Sequence, residues 1–335
     1  MALVRGLFLM TGLFLASGCA PTVIGAGPAP APPPGGGGAR AAPDGTRLPL
    51  RSWLPQDSPR AVIIALHGFN DYSFAFDDPG RRLAGAGIAL YAYDQRGFGE
   101  TGDRGYWAGS DTLSDDLIAA VRALGDRHPG KPVFLLGESM GGAVVMMTMA
   151  RPDAPAVAGI VLAAPAVWNR SSMPLLQQAA LWIGSHTLPW MTLTGRNLGI
   201  HPSDNIEMLR RLSRDPLVIK ETRIDAIHGL CDLMDRAVLA PGHIRVPVLM
   251  LYGAKDEVVP AAPSLAAMTA LAAGPGPAVM ALYPEGYHML LRDLEADLVI
   301  DDVAAWTARP GVPLPSGADR DAIARLSALI EARDR

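Results

Sequence analysis

The chain has 335 residues and a formal net charge of −4. No block of lysine or arginine supplies the basic surface that nucleic-acid phosphates demand, so a nucleic-acid partner is excluded and small uncharged substrates fit better. The length permits one large α/β domain with an insertion or two ordinary domains. Cys19 and Cys231 allow at most one disulfide.

In chain order the N-terminal segment comes first. Arg5 precedes an apolar run from Gly6 to Ala16, too short to span a bilayer and of the length of a signal-peptide core. It ends in Leu15-Ala16-Ser17-Gly18-Cys19, which resembles the lipobox of bacterial lipoproteins. That resemblance implies a signal peptide over residues 1–18, a lipid anchor on Cys19 and, with Ala20 following in place of an acidic residue, sorting to an outer membrane, facing periplasm or surface. Ordinary secretory cleavage near the same point is the alternative. Residues 19–45 are dominated by Pro, Gly and Ala (APAPPPGGGGAR). They are expected to bury no core and to act as a flexible tether with a reach of roughly 25–30 Å.

The body alternates short apolar runs with helical patterns, which predicts a mostly parallel sheet wrapped by helices. Strands are expected over Ala61 to Leu66, Ile88 to Tyr93, Val133 to Leu136, Gly159 to Ala163, Val246 to Tyr252 and Val279 to Tyr283. Each is apolar at nearly every residue, as strands covered on both faces must be. Helices are expected near Phe76 to Ala86, Leu113 to His128, Met140 to Ala150, Ala262 to Ala273 and Leu290 to Thr307. The alternation stops over residues 166–242, an all-helical insertion without a convincing strand that holds Trp168, Trp182 and Trp190. From Ser171 to Gly195 there is no Asp, Glu, Lys or Arg, yet Pro174, Gln177, Gln178, His186 and Pro189 argue against a membrane span. Such a stretch lines an acyl pocket or touches a bilayer; an ordinary core helix is the alternative. The chain thus divides into a core over 46–165, the insertion over 166–242, a second core part over 243–310 and a tail over 311–335. In that tail Ile323, Leu326, Leu329 and Ile330 fall at helical spacing and predict a docked surface helix.

The chemistry starts at Gly137-Glu138-Ser139-Met140-Gly141-Gly142, which follows the apolar run Lys131 to Leu136 and opens the apolar stretch Ala143 to Ala150. Strand, tight turn and helix lift a serine hydroxyl out of a sheet. Gly137 and Gly141 stand where a Cβ would clash as the two legs approach, which separates this motif from a merely structural Gly-rich turn. The serine and the helical insertion together resemble α/β-hydrolases with a helical cap. That fold implies a triad in the order serine, acid, histidine. Of the seven histidines only His288, in Pro284-Glu285-Gly286-Tyr287-His288, lies beyond the strand that should carry the acid. Asp256 follows that strand in Tyr252-Gly253-Ala254-Lys255-Asp256-Glu257, with Glu257 as its rival. Met140 and Phe69 are expected to supply the backbone N–H groups of an oxyanion hole. His67 reads as a shaper of the oxyanion loop rather than as the base.

GESMGG, HGFNDYS (His67 to Ser73), YDQRGFGET (Tyr93 to Thr101), YGAKDEVVP and the late His288 resemble the monoacylglycerol lipase and lysophospholipase branch of serine α/β-hydrolases, over roughly Thr46 to Pro310. Two positions depart from that family: Glu138 stands where His is frequent, and Asn70 where the loop usually has Gly. Asp94 and Arg96 are expected to form a structural ion pair. The resemblance implies a hydrolase of esters of single-acyl-chain lipids, acting through an acyl-enzyme; the absence of HExxH, CxxC or clustered His/Asp spacing implies no metal, and the lipobox implies that the membrane is reached through Cys19. A proline-type aminopeptidase, a small-ester carboxylesterase or an acyltransferase would use the same residues. Asp232 and Asp235 keep the peptidase open as carboxylates for a peptide amine. A non-catalytic lipoprotein binding lipid or a partner is the reading from another class. Cys231 is expected to be a buried apolar residue of the cap.

Overall fold

The computed structural model describes residues 20–26, 39–42, 44–195, 199–333 and 335. Cys19 and the segment 1–18 lie outside the described residues. Eight strands form one sheet: β1 (Ala39–Ala41), β2 (Arg47–Trp53), β3 (Ala61–Leu66), β4 (Ile88–Tyr93), β5 (Val133–Glu138), β6 (Gly159–Ala163), and, after the cap, β9 (Val248–Gly253) and β10 (Ala278–Tyr283). Their order is β1-β2-β4-β3-β5-β6-β9-β10. β1 pairs antiparallel with β2 and β2 antiparallel with β4, whereas every pair from β4 to β10 is parallel.

All six residues of β3 are buried, and the two sides of the sheet explain why. Val62, Ile64 and Leu66 point into a core shared with the helices α2 (Ser110–Arg127) and α3 (Met140–Met149), while Ala61, Ile63 and Ala65 point into a second core shared with α1 (Asp77–Gly85) and α8 (Ala296–Ala308). Strands with two covered faces read as continuous apolar runs, and those are the ones the sequence makes visible. β2 escapes that criterion. Only Leu48 is buried, with Arg47 and Ser52 exposed and the rest between, because it lies near the sheet edge.

The cap over 166–242 carries α4 (Leu175–Thr187), α5 (Ile206–Arg214) and α6 (Ile224–Ala237). It is not strand-free, since the two-residue strands β7 (Thr192–Leu193) and β8 (Thr222–Arg223) pair antiparallel across its loops. After β9 come α7 (Ala261–Ala272), β10 and α8, which starts at Ala296 rather than near Leu290. Residues 290–295 are held instead in turns in which the amides of both Arg292 and Asp293 bond to Met289 O, and this frees their side chains for the site below. The tail forms α9 (Ala322–Arg333), where Leu326 is buried and Leu329 faces outward.

The tether reading does not hold for the described parts of 19–45. Val23 bridges to Trp107, the Ile24 amide bonds to Trp107 O at 2.9 Å, and the Thr22 amide lies 3.4 Å from Asp225 Oδ2 at the start of α6. Backbone contacts at Val23 and Ile24 lay this segment against the body, and β1 adds an edge strand further on. Among the described residues no helix is long and apolar enough to cross a membrane.

Candidate active site

Ser139 sits between the last residue of β5 and the first of α3, at φ 53° and ψ −116°. A non-glycine residue there stores on the order of 1–3 kcal/mol of backbone strain, which the surroundings must over-determine. They do: the Ser139 amide bonds to Ala163 O at 3.0 Å, and its carbonyl accepts from the Ala143 and Ala166 amides. The glycines flanking it are obligatory. A Cβ on Gly137 would lie 2.5 Å from backbone atoms of Gly141 and Gly142, and one on Gly141 would lie 2.1 Å from Leu66 O.

The loop after β3 lies directly against this turn, a Cβ placed on Gly68 being 3.4 Å from Ser139 Cβ. Among the described residues neither the Phe69 nor the Met140 amide has a hydrogen-bond partner, which leaves two N–H groups beside the serine. His67 is fully buried, with Nε2 accepting from the Gln95 amide at 3.0 Å and Nδ1 at 2.9 Å from Gly68 O. Burial holds its pKa below the usual imidazole value and both nitrogens are engaged, so it shapes the loop and is no base. Asn70 has φ 67°, the left-handed region that favours Gly and that Asn tolerates, so its substitution for the family's Gly leaves the turn intact. Its Nδ2 donates to Thr222 Oγ1 at 2.7 Å, tying the loop to the cap.

Across the same C-terminal edge of the sheet, His288 Nδ1 lies 2.8 Å from Asp256 Oδ2, both side chains buried. Asp256 Oδ1 accepts from the Val258 and Val259 amides at 2.7 and 3.0 Å, which fixes the carboxylate and directs its other oxygen at the ring. The two loops can approach because β9 ends in Gly253, where a Cβ would meet Tyr287 O at 2.3 Å. Burial pushes the imidazole pKa of His288 down, but the Asp256 charge and hydrogen bond outweigh it and the value is raised. Glu257 faces solvent and bonds to the His201 amide at 2.7 Å, so the rival acid is elsewhere engaged. Among the described residues no hydrogen bond joins the Ser139 hydroxyl to His288 in this arrangement.

Two further expectations change. Asp94 and Arg96 do not pair with each other. Asp94 accepts from the Ser73 and Glu100 amides, while Arg96 makes bidentate contacts with Asp44 and Asp116, all buried. Asp232 and Asp235 are both held by Arg170 and are not free carboxylates. Cys231 is buried as expected, its thiol pushed up to about 11 by desolvation. Sequence reasoning missed Arg292, which is buried and lies 2.8 Å from Asp71 and 3.1 Å from Glu138. Its signal was a charged residue at an apolar place in the pattern from Leu290.

A strained serine at a strand-to-helix turn, a buried His–Asp pair beyond the later strands and a parallel sheet carrying both define a hydrolase of the α/β-hydrolase fold. The chain belongs to the serine aminopeptidase S33 family (Hydrolase_4), whose model matches residues 57–295. It is 29% identical to a monoacylglycerol lipase of Mycolicibacterium smegmatis over 275 residues, covering 78% of this chain and 93% of that protein. It is 28% identical to the human monoglyceride lipase, covering 79% and 88%. A soluble variant of the Saccharomyces cerevisiae monoglyceride lipase, solved with a substrate analogue, superposes with a TM-score of 0.68 at 20% identity, covering 79% of this chain and 92% of that one, and shows the same fold.

Proposed function

We propose that Ser139, His288 and Asp256 act as a catalytic triad and that this carboxylic ester hydrolase cleaves lipids bearing one acyl chain, monoacylglycerol or lysophospholipid. The buried Asp256–His288 contact on the sheet edge that carries Ser139 is the observation that supports it. Ser139 Oγ attacks the ester carbonyl as its proton passes to His288 Nε2. Asp256 accepts the Nδ1–H and stabilises the imidazolium. The tetrahedral oxyanion is met by the free amides of Phe69 and Met140. His288 returns the proton to the departing alcohol, and water repeats the sequence on the acyl-enzyme. The named activities of the relatives favour acyl glycerol over peptide, and the pairing of Asp232 and Asp235 with Arg170 removes the carboxylates an amine would need.

The N-terminal reading joins this proposal: Cys19 carries the lipid anchor, on an outer membrane facing periplasm or surface. Thr22 lies against Asp225, whose amide bonds to Pro189 O. On the cap Leu175, Leu176, Trp182, Ile183, Trp190 and Met191 are exposed, with Leu175 and Leu176 at 81% and 82%. An uncharged apolar face on the cap fits a lipid surface. The test is a substrate panel of monoacylglycerols, lysophospholipids, triacylglycerol and prolyl amides, with Ser139→Ala as blank and fluorophosphonate labelling at Ser139. Prolyl amidase activity, or no labelling of wild type, would overturn the reading.

A further inference from the structure

Three loops carry the reacting groups, and one buried side chain touches two of them while standing on the third. Glu138 is the residue before Ser139, Asp71 ends the turn that begins at Gly68 and contains Phe69, and Arg292 lies four positions after His288. Arg292 Nη1 is 2.8 Å from Asp71 Oδ2, and Nη2 is 3.1 Å from Glu138 Oε2. Their side chains are only 8%, 8% and 3% exposed, in the order Arg292, Asp71, Glu138. We propose that Arg292 is a positioning residue that clasps the nucleophile turn, the oxyanion loop and the histidine loop into one register through Glu138 and Asp71. The proposal rests on the triad proposed above.

Geometry and energetic cost both favour this role. Burying three ions is expensive, and well-packed apolar side chains of similar volume would hold the fold as well or better. What apolar packing cannot supply is a fixed direction. A guanidinium can engage two carboxylates at once: Nη2 donates to Glu138 Oε2, while Nη1 holds Asp71 Oδ2 by charge, so one group ties together two loops. Its own backbone is held from the other side. The Arg292 carbonyl accepts from Asn205 Nδ2 at 2.9 Å, and the adjoining Asp293 accepts from Ser203 Oγ at 2.6 Å and from the Tyr287 amide at 2.7 Å. The histidine loop is thereby pinned between the cap and the nucleophile turn.

The cluster also acts on the base through its charge. The charged groups that act on His288 are Asp256 from the loop after β9, Glu138 from the end of β5 and Arg292 from its own loop; the two carboxylates favour the imidazolium and the guanidinium opposes it. The acid limb therefore reports the charge of Glu138 on the imidazole, and the positioning role is read separately from the split of kcat and KM per labelled site.

The test measures kcat and KM for 4-nitrophenyl butyrate across pH, per site labelled by fluorophosphonate, in wild type, Glu138→Gln, Asp71→Asn and Arg292→Lys. Glu138→Gln keeps the shape and removes one negative charge. Its kcat is expected to fall by about tenfold or more with KM little changed, and the acid limb of kcat/KM to move to lower pH by several tenths of a unit to about one unit. Arg292→Lys keeps the charge and loses the fork, so kcat falls while the acid limb stays. Asp71→Asn, whose carboxylate is not among the charges acting on the imidazole, lowers kcat without moving the limb. If Glu138→Gln retains wild-type kcat per labelled site, the positioning role is overturned wherever the acid limb lies. It is overturned equally if all three variants lose only thermal stability. If wild type itself neither labels at Ser139 nor turns over the ester, the triad falls first and the clasp with it.

Discussion

Replacing Asp256 by Asn tests the assignment of the acid at the level of a single proton. Asp256 Oδ1 accepts two backbone amides at 2.7 and 3.0 Å, so the amide oxygen of an Asn stays there. The NH2 group then faces His288 Nδ1 in place of Oδ2, at the 2.8 Å contact. A donor on that side forces Nδ1 to accept, which places the ring proton on Nε2, the nitrogen that must receive the serine proton. The geometry survives and the tautomer is wrong. In the Ser-His-Asp template this substitution costs about 10⁴ in kcat, or about 5.5 kcal/mol of barrier. A second effect follows from charge. His288 is raised above 6.5 because the Asp256 carboxylate outweighs burial, and with a neutral amide beside it burial prevails, so the acid limb of kcat/KM moves to lower pH. Initial rates on 4-nitrophenyl butyrate across pH, normalised to labelled sites, report both. Asp256→Asn activity within about tenfold of wild type would refute the assignment, whereas Glu257→Gln should stay near wild type.

Gly141→Ala should abolish both labelling and turnover, because its Cβ would sit 2.1 Å from Leu66 O and neither backbone can retreat; soluble, labelled protein would contradict this. Arg96→Ala strands Asp44 and Asp116 in the interior. Its urea unfolding free energy should drop by about 3–5 kcal/mol, and a loss under about 1 kcal/mol would show that the bidentate contacts do not carry the weight given them. The raised pKa of His288 makes its contact with Asp256 a source of stability that is full below pH 6.5 and lost as pH rises through the folded value. Thermal unfolding of wild type should lose that increment on the alkaline side, and His288→Gln should lack the step. Leu175→Asp with Leu176→Asp should leave hydrolysis of soluble 4-nitrophenyl butyrate unchanged while lowering activity on bilayer-dispersed monoacylglycerol; equal activity on both would remove the cap from the membrane reading.

Much of the architecture was legible in the sequence because it depends on local sterics and on two covered faces. The runs from Ala61, Ile88, Val133 and Gly159 could only be strands buried on both sides, and all six of the expected strands form. The Gly137–Gly142 turn was equally local, since glycine spacing reports where strand and helix legs touch. His288 and Asp256 were reached through the order of elements, and the fold brings them to 2.8 Å. Less was visible where a residue's role depends on who meets it from far along the chain. β2 was missed because it lies near the sheet edge and buries only Leu48, so it does not read as a continuous apolar run.

Sequence by itself determined the sheet and the serine turn, because each rests on neighbours a few residues apart, and it suggested Asp256 and His288 through the order of the elements that carry them. Tertiary structure alone decided the ionic partners. Arg96 meets Asp44 and Asp116 instead of Asp94, and Arg292 meets a Glu 154 residues away. It also decided that residues 22–24 lie against Trp107 and Asp225 and that the uncharged stretch of the cap faces outward. The physical reason is common to these cases. A charge or an apolar side chain gains its energy from whatever surface folding brings to it, and that surface is written nowhere near it in the sequence.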